Sequence, residues 1–547
     1  MSEFGIKRLD HHGITMGVIQ DLNLISLIDE RVGTFEDEKL SVGTRVAAMI
    51  INGLGFTDQP LSLVPEFFEE LPIEHLFGDN ITSEDFNRFN LARALDRVSG
   101  YGIETLFAEV AAHACAVSGV DLKTQALDTT TFSLTGEYDD HTSEIQITHG
   151  YSKDHRPDLK QIVTELVVSH DSGVPLCIKN WSGNESDTHI FKHRAEQLCA
   201  AFENGYVNHL TADSKFYTEA NSSCWDIVRF TTRVPETLTA AKDVIQQAQA
   251  EKHWSQARDA KTEYVVFNMT HYNCDQRWLV CRSAESLKRA QKAIPKLVQQ
   301  ERDKIDKAIF HLQAKRFKCS VDAEQASQSI SKKWKYHDVF IAELKQIPKF
   351  DKPGYSKNRT PAYYEYQIIL DCVKSEERIL IEQQRKASFV LATNMSVEAL
   401  SNDDVVKAYK DQQHVERGYR FLKDPQFFSN AFFIKTPSRI SALIMVMTLA
   451  LLVYSIAQKR ITAAIKKQDI AFKDQSGTAK KALTVRRAFQ LFRGVYTLPN
   501  AVGHQYKFMI DGLNETRVRI LKLFKGRCLE YYYDARLAAL DNPKMAN

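Results

Sequence analysis

Residues 405–423 read VVKAYKDQQHVERGYRFLK. The segment contains no proline, and its polar residues Tyr409, Gln412, Glu416 and Lys423 are separated by intervals of three, four and seven. At about 100° per residue, these four side chains fall on one face of a helix. A phenol, an amide, a carboxylate and an ammonium make a poor core face, but they can bind metal ions and phosphate groups. The segment therefore predicts a helix that contributes one face to a binding site.

Two acids far upstream each stand at the end of an extended apolar run. Such a run predicts a strand, and a residue at its end would lie at the edge of the sheet. Asp128 follows TQAL, and Asp213 ends the run that starts at residue 207. Three acids on two strand ends and one later helix are the pattern of a two-metal phosphoryl-transfer site. Each acid alone has a simpler explanation, since strand ends often carry Asp and Glu416 has the spacing of a surface ion pair with Arg420. Only their combination indicates catalysis.

Charge is unevenly distributed along the 547 residues, although the net charge is only +2. The segment 423–527 holds nineteen Lys and Arg against five Asp and Glu. This excess predicts an anionic partner whose binding weakens with salt, with a solvated basic surface as the alternative. The apolar content of 44% and charged content of 26% are typical of globular protein and exclude wholesale disorder.

Cysteine usage and the first residues predict a cytoplasmic protein without a membrane anchor. The nine cysteines form no CxxC pair, and MSEFG at the start lacks the features of a secretory signal. The run 440–457 reaches the lower length limit of a membrane span but contains Ser441, Thr448 and Ser455. We interpret it as a helix buried on all sides within a large core.

Residues 1–120 have helical spacing of Ala, Val, Ile and Leu, notably in Ser41–Leu54 and Ile103–Val117. The sequence Thr82–Asp85 resembles a capping box that opens a further helix. We interpret this region as a helical N-terminal domain. Its role stays open between reading DNA and forming a packing or dimer module.

Residues 121–235 have the composition of strands. After the strand that ends at Asp128, the order predicted is a hairpin of Gln161–Ser169 and Val174–Trp181, a helix at Asp187–Phe202, a strand at 207–213, a short helix and a strand at 227–232. This order resembles the α/β core of ribonuclease-H-like proteins. We therefore expect the first part of such a core here.

Asp213 and Glu416 are too far apart in sequence for one connection. We predict a large α+β insertion domain at 236–386 that interrupts the core, with a long charged helix at Ser283–Lys315. A strand pair is expected at 264–268 and 277–281, and further strands are expected near 337–344 and 363–370. The second part of the core then spans 387–460 and carries the helix of Glu416, and 461–547 form a basic helical C-terminal region.

The sequence resembles the DDE transposases of bacterial insertion sequences, in the group with a Y-(2)-R-(3)-E-(6)-K signature. Tyr409, Gln412, Glu416 and Lys423 match that spacing, with Gln412 where the signature has Arg. The segments LDTT (127–130), LTAD (210–213) and GYSKDHRPDLKQ (150–161) are similar to further blocks of the family. The resemblance covers about residues 120–460.

The resemblance implies a DNA transposase that cleaves and transfers strands at the ends of an insertion sequence. It implies two Mg²⁺ ions, replaceable by Mn²⁺, held by Asp128, Asp213 and Glu416. Tyr409 and Lys423 would contact phosphates of the end DNA, and Gln412 would do so more weakly than Arg. The implied partners are the double-stranded inverted repeats and target DNA, bound by a homodimer in a nucleoid-associated bacterial protein.

Further residues are candidates for DNA contacts. The loop residues Lys153, Arg156 and Lys160 can bind backbone phosphates, with a solvated loop as the alternative. Trp278 is the candidate for stacking on a flipped base, with Trp254 as a second choice, and a core position is the alternative for both. The arginines of the basic tail are also candidates for non-specific DNA binding: Arg486, Arg487, Arg493, Arg517 and Arg519.

Two other functions stay open. A transposase-derived protein that binds DNA but no longer cuts is the first, and Gln412 leaves room for it. The second is another ribonuclease-H-like nuclease, such as a junction resolvase, which does not explain the insertion.

Overall fold

The chain divides into two compact units. Unit 1 comprises Met1–Thr232 and Lys407–Asn547, and unit 2 comprises Arg233–Val406. The computed structural model describes residues 5–36, 38–57, 60–138, 143–202, 209–251, 253–331, 334–351, 360–424, 434–473, 476–499 and 508–533.

The first part of unit 1 is helical, as the sequence predicts. A short strand β1 (Lys7–Arg8) precedes seven helices: α1 (His12–Asp21), α2 (Leu24–Val32), α3 (Val42–Leu54), α4 (Val64–Glu69), α5 (Ile73–Phe77), α6 (Arg88–Tyr101) and α7 (Ile103–Ser118). The capping box at Thr82 and Asp85 is present, but it opens only the 3₁₀ turn Ser83–Phe86. The α-helix that follows begins at Arg88 and is capped by the side chain of Asn87.

A mixed sheet forms the centre of unit 1. Its elements in chain order are β2 (Thr124–Leu134), β3 (Lys160–Ser169), β4 (Pro175–Trp181), α8 (Asp187–Phe202), β5 (His209–Ala212), α9 (Glu219–Ser222) and β6 (Arg229–Arg233). The spatial order is β4-β3-β2-β5-β6. The pairs β2–β3 and β3–β4 are antiparallel, whereas β5 is parallel to both β2 and β6. The predicted order of strands and helices is present, but the strand that was expected to end at Asp128 continues to Leu134.

Unit 2 contains ten elements: α10 (Thr239–Ala250), β7 (Ser255–Gln256), β8 (Thr262–His271), β9 (Cys274–Ser283), α11 (Ala284–Gln313), α12 (Ser320–Ser331), β10 (His337–Lys349), β11 (Tyr363–Lys374), α13 (Glu376–Ala387) and β12 (Ser388–Thr393). Strand β9 pairs antiparallel with β8 and β12, and β10 pairs with β11. The predicted strands and the long helix are present. Helices α10, α12 and α13 were not predicted, because their polar faces hide the apolar spacing.

The rest of unit 1 is mainly helical. Helix α14 (Asn402–Asp411) begins in unit 2 and ends in unit 1. The elements after it are α15 (Gln413–Leu422), α16 (Pro437–Gln468), β13 (Phe472–Lys473), β14 (Ala479–Lys480), α17 (Val485–Leu491), β15 (Tyr496–Pro499), β16 (Phe508–Asp511) and α18 (Glu515–Phe524). Helix α16 is long and apolar enough to cross a membrane, yet 94% of its most apolar window is buried inside the protein. It packs against α3, α6, α7, α18 and β4. The predicted buried helix is confirmed.

The prediction of one continuous helix over 405–423 is wrong. The helix is interrupted at Gln412, which separates α14 from α15. The backbone N–H of Gln412 donates to the carbonyl of Tyr409 at 3.3 Å, and that of Val415 donates to Gln412 at 3.0 Å. These bonds span three residues instead of four, which tightens the turn and changes the angular spacing. The regular α-helical spacing on which the prediction of a single face rests is therefore not kept across Gln412.

One hydrophobic core joins the two helical parts of unit 1 to the sheet. It includes Ile50 of α3, Leu166 of β3, Leu449 of α16 and Tyr532 near the end of the described chain. Strand β1 pairs with β15, with Lys7 opposite Thr497. The N-terminal helices and the C-terminal region thus fold as parts of one unit.

Candidate functional site

Hydrogen-bonding register places Asp128 and Asp213 side by side. In the parallel pair β2–β5, Leu127 lies opposite Ala212, and the two acids are the next residues on each chain. Side chains at paired positions of neighbouring strands point to the same face of a sheet. The two carboxylates therefore lie side by side where β5 ends. Asp213 directly follows β5, whereas Asp128 lies inside β2, so the prediction that Asp128 ends its strand is wrong.

The two carboxylates occupy an environment that disfavours their charge. Burial raises the pKa of Asp128 to about 7; Lys153 opposes this rise, and the charges of Asp213 and Asp187 add to it. Burial also raises the pKa of Asp213, against the backbone N–H and ammonium of Lys215. At both acids the effect of burial on the pKa thus outweighs that of the nearby lysines.

One oxygen of each carboxylate accepts a hydrogen bond from the backbone N–H of a residue close to it in sequence. The N–H of Thr129 donates to Oδ1 of Asp128 at 2.7 Å, and the N–H of Lys215 donates to Oδ1 of Asp213 at 2.8 Å. Among the residues that the structure describes, no hydrogen bond to the second oxygen of either acid is found. These oxygens are hard ligands of the kind that Mg²⁺ prefers.

Helix α15 is fixed to the sheet beside Asp128. The hydroxyl of Tyr419 donates to the backbone carbonyl of Asp128 at 2.7 Å and to that of Thr164 at 3.2 Å. A Cβ built on Gly418 would lie 3.2 Å from Leu451 and 3.6 Å from Leu166, so the small residue permits close approach of the helix to β3. Leu166 lies opposite Asp128 in the β2–β3 pair.

Glu416 lies on this anchored helix, three residues before Tyr419. Residues at this spacing are neighbours on a helix surface, with about 5–6 Å between their Cβ atoms. The side chain of Glu416 is nevertheless exposed, and it forms no hydrogen bond or ion pair with any described residue. No group of three acidic, His or Cys side chains among the described residues is arranged to hold a metal ion. The three predicted ligands thus share one region, but Glu416 does not converge with the other two.

A fourth acid, Asp187, was missed by the sequence analysis. It is the first residue of α8 and accepts a hydrogen bond from the hydroxyl of Thr129, next to Asp128. Its carboxylate forms ion pairs with Lys153, at 3.1 Å, and with Lys215. Burial would raise the pKa of Asp187, but the two lysines and Thr129 lower it. In the sequence, an Asp in the first turn of a helix is explained by helix capping. Its ion pairs with the two lysines therefore leave no sequence signal.

The predicted phosphate-binding residues occupy different environments. The ammonium of Lys153 lies in the site, where it also donates to the carbonyl of Thr129 at 2.6 Å. Arg156 is paired with Asp158 at 2.8 Å on the surface, and Lys160 donates to the carbonyl of Tyr138 at 3.1 Å. Lys423, at the end of α15, forms an ion pair with Asp154 at 2.6 Å.

The remaining candidates are less accessible than the sequence suggests. Gln412 is 9% exposed at the junction of α14 and α15, and Tyr409 is partly buried. Trp278 is fully buried in unit 2 and donates its indole N–H to Gln276 at 3.0 Å, so it has no free face for a base. The base-stacking prediction for Trp278 is therefore wrong for this conformation. Trp254 is partly exposed, with the guanidinium of Arg282 3.8 Å from the centre of its ring.

The basic C-terminal region contains both structural and accessible cations. Arg517 donates to the carbonyls of four residues, including Leu491 at 2.7 Å and Arg493 at 2.6 Å, and is therefore structural. Arg486 pairs with Asp424 at 2.8 Å. A cavity of about 820 Å³, whose lining includes Lys466, Lys480 and Arg487, lies in this region. It contains none of the acids described above.

Comparison with known proteins gives a family match for the first part of the chain. Residues 4–112 match the model of a domain of unknown function, DUF4277. No curated protein sequence matches the chain. A solved structure, the cryo-EM synaptic complex of piggyBac transposase with hairpin DNA, aligns with 95% of this chain and 93% of its own, at 8% identity and a TM-score of 0.38. A TM-score this low does not establish a common fold.

Proposed function

We propose that this chain is a DNA transposase with a ribonuclease-H-like core, interrupted by an insertion domain at residues 236–386, which lie within unit 2. Asp128, Asp213 and Glu416 are its catalytic acids and hold two Mg²⁺ ions, for which Mn²⁺ substitutes. Its partners are the double-stranded ends of an insertion sequence and the target DNA, bound by a homodimer. The reaction is metal-dependent cleavage and strand transfer at those ends.

The observation that carries the proposal is the register of Asp128 and Asp213. Two acids that are 85 positions apart in sequence end up adjacent, partly buried and with raised pKa values. A structural turn residue gains nothing from such a position, because burying a charge without a partner is costly. Strand-borne acids of this kind are the fixed part of a two-metal site.

The residues present fit a hard divalent cation. The free oxygens of Asp128 and Asp213 are carboxylate ligands, and a cation would oppose the effect of burial that raises their pKa values. Glu416 would complete the set from α15. When bound, Mg²⁺ would stabilise negative charge on the attacking and leaving oxygens of a phosphodiester.

The other residues of the site have positioning roles in this proposal. Tyr419 holds α15, and with it Glu416, against the backbone of Asp128. Lys153 lies beside the acids in an ion pair with Asp187, where its ammonium group faces the phosphate of a bound strand. Lys423 lies at the end of the same helix and would exchange its contact with Asp154 for a DNA phosphate.

The test is cleavage of the DNA that flanks the reading frame. The purified chain is incubated with labelled duplexes from each flank, in Mg²⁺, in Mn²⁺ and in EDTA, and a duplex of scrambled sequence serves as the control. We expect nicking at the flanking ends that depends on the metal. If neither flanking duplex is nicked in Mg²⁺ or in Mn²⁺, the proposal is contradicted.

The exposed position of Glu416 favours a second candidate, a transposase-derived protein that binds DNA without cutting it. In that case the third ligand never reaches the acid pair. Binding of the flanking duplex without nicking in either metal would support this candidate and exclude the first.

A further inference from the structure

Two lysines lie beside the acid pair, and both are held by a residue outside it. The ammonium of Lys153 lies 3.1 Å from Oδ1 of Asp187, and the ammonium of Lys215 contacts Oδ2 of the same carboxylate. The hydroxyl of Thr129 donates to Asp187 as well. One carboxylate thus receives two ammonium groups and a hydroxyl.

The position of Asp187 separates it from the proposed ligands. Thr129 is the residue after Asp128 in β2, so its side chain points to the other face of the sheet. On that face, Arg194 of α8 pairs with Glu165, which lies opposite Thr129 in β3. Asp187 therefore approaches the acid pair from the side of α8, whereas Glu416 approaches from the side of α15.

Both lysines are tied to the strands of the acid pair by their backbones. The N–H of Lys215 donates to Asp213 at 2.8 Å, and the N–H of Lys153 donates to the hydroxyl of Thr131 at 3.2 Å. Their side chains have a choice of anionic partners, namely Asp187 or the acid pair itself. Without Asp187, both ammonium groups would be drawn onto Asp128 and Asp213 by simple Coulomb attraction.

We propose that Asp187 is a positioning residue that holds Lys153 and Lys215 away from Asp128 and Asp213, leaving the acids open to divalent cations and the ammonium groups open to a nucleic-acid phosphate. The inference rests on the proposed function, because it assigns a metal and a phosphate to the same site. Asp187 itself binds neither.

The inference predicts how three changes combine in metal binding. Mn²⁺ titrations by calorimetry, without DNA, compare the full-length chain with Asp187→Asn, with Lys153→Gln plus Lys215→Gln, and with all three changes. Asp187→Asn should weaken Mn²⁺ binding by about 10- to 100-fold, as loss of an outer partner of a metal ligand does. The double lysine variant should bind at least as tightly as the wild type, and the triple variant should match the double variant.

The triple variant decides the role of Asp187. If Asp187→Asn costs the same factor with and without the lysines, Asp187 acts on the metal directly and the inference is overturned. An unchanged affinity in Asp187→Asn would overturn it too. Glu185→Gln is the matched control, since Glu185 lies two residues upstream and pairs with His189 instead of the lysines.

Thermal unfolding of the same variants without metal separates this inference from the proposed function. The losses of Tm caused by Asp187→Asn and by the lysine changes should be non-additive, because each removes the same ion pairs. Additive losses would overturn the inference. If the wild type binds no Mn²⁺, the proposed function fails, and the unfolding cycle still decides whether Asp187 holds the lysines. Should Asp187→Asn not fold, Lys215→Gln alone should bind Mn²⁺ at least as tightly as the wild type, and weaker binding would overturn the inference.

Discussion

The strands and the helix that carry the three proposed acids position them in different ways. Asp128 and Asp213 are placed by backbone hydrogen bonds between β2 and β5, and both are buried enough to have raised pKa values. Glu416 is placed by a side-chain contact of its helix, from Tyr419 to the carbonyl of Asp128, and its own carboxylate is exposed. The strand acids are thus set by the fold, whereas the helix acid depends on an anchor and on its own rotamer.

The largest effect is expected from the strand acids. Asp128→Asn or Asp213→Asn should reduce nicking of the flanking DNA by about 10⁴-fold, the scale at which loss of one catalytic group acts in other enzymes. Binding of the same duplex should be retained, as measured by fluorescence anisotropy. Glu219→Gln, an exposed acid six residues after Asp213, is the control. Near-wild-type nicking in either Asn variant would remove that acid from the metal site.

Glu416→Gln tests whether the helix acid belongs to the same set. We expect nicking to fall by about 10²-fold or more, since one ligand of the proposed metal pair is lost. The free energy of unfolding should change by less than about 0.5 kcal/mol, because the side chain is exposed and forms no hydrogen bond or ion pair with a described residue. Full activity in Glu416→Gln would show that Glu416 is not a metal ligand. The two strand acids would then be catalytic, and Glu416 would be a surface residue.

The pH dependence of stability tests the burial of Asp128. Its pKa in the folded protein is about 7, above the usual value of about 3.9 for the unfolded chain. Between these two pH values, the folded state keeps a proton that the unfolded chain has lost. The contribution of Asp128 to the free energy of unfolding is therefore full below the pKa of the unfolded chain, and it disappears as the pH rises through 7.

The metal-free free energy of unfolding should accordingly fall by at most about 1.4 kcal/mol per pH unit between these pKa values. Denaturant unfolding at several pH values compares the wild type with Asp128→Asn, which should lack this part of the decrease. Parallel curves for the two proteins would show that Asp128 is not the group responsible.

The smallest effect is expected from the anchor of the helix. Tyr419→Phe removes the hydroxyl that donates to the carbonyls of Asp128 and Thr164, and it should lower the free energy of unfolding by about 1–3 kcal/mol. The exposed Tyr364→Phe provides the control. If Tyr419→Phe is as stable as Tyr364→Phe, the hydroxyl does not fix α15, and the contrast between strand and helix acids loses its basis.

The strand half of the site could be predicted from the sequence because its signal is local. Asp128 and Asp213 each end a short apolar run, and the neighbouring hairpin and helix fix the order of the strands. Once that order is known, the parallel register brings the two acids together without further information. Helix α8 was predicted with its observed bounds for the same reason.

The helix half depended on features that the sequence does not display. The break at Gln412 results from two backbone bonds of the three-residue type, and nothing in the composition of 405–423 marks it. The burial of Trp278 follows from its place on β9, between β8 and β12, which a single strand does not reveal. Asp187 gains its partners from residues 153 and 215, which are remote from it in sequence.

The pairing of β1 with β15 has a consequence for synthesis on the ribosome. Lys7 and Thr497 are 490 residues apart, and the core that they close needs helices from both ends of the chain. Unit 2 is a continuous segment and can fold as soon as it emerges. Until α16 has been synthesised, roughly tens of seconds later, the first part of unit 1 exposes the apolar surfaces that α16 covers in the folded protein. Nascent chains of this protein should therefore require chaperone protection mainly through residues 1–232.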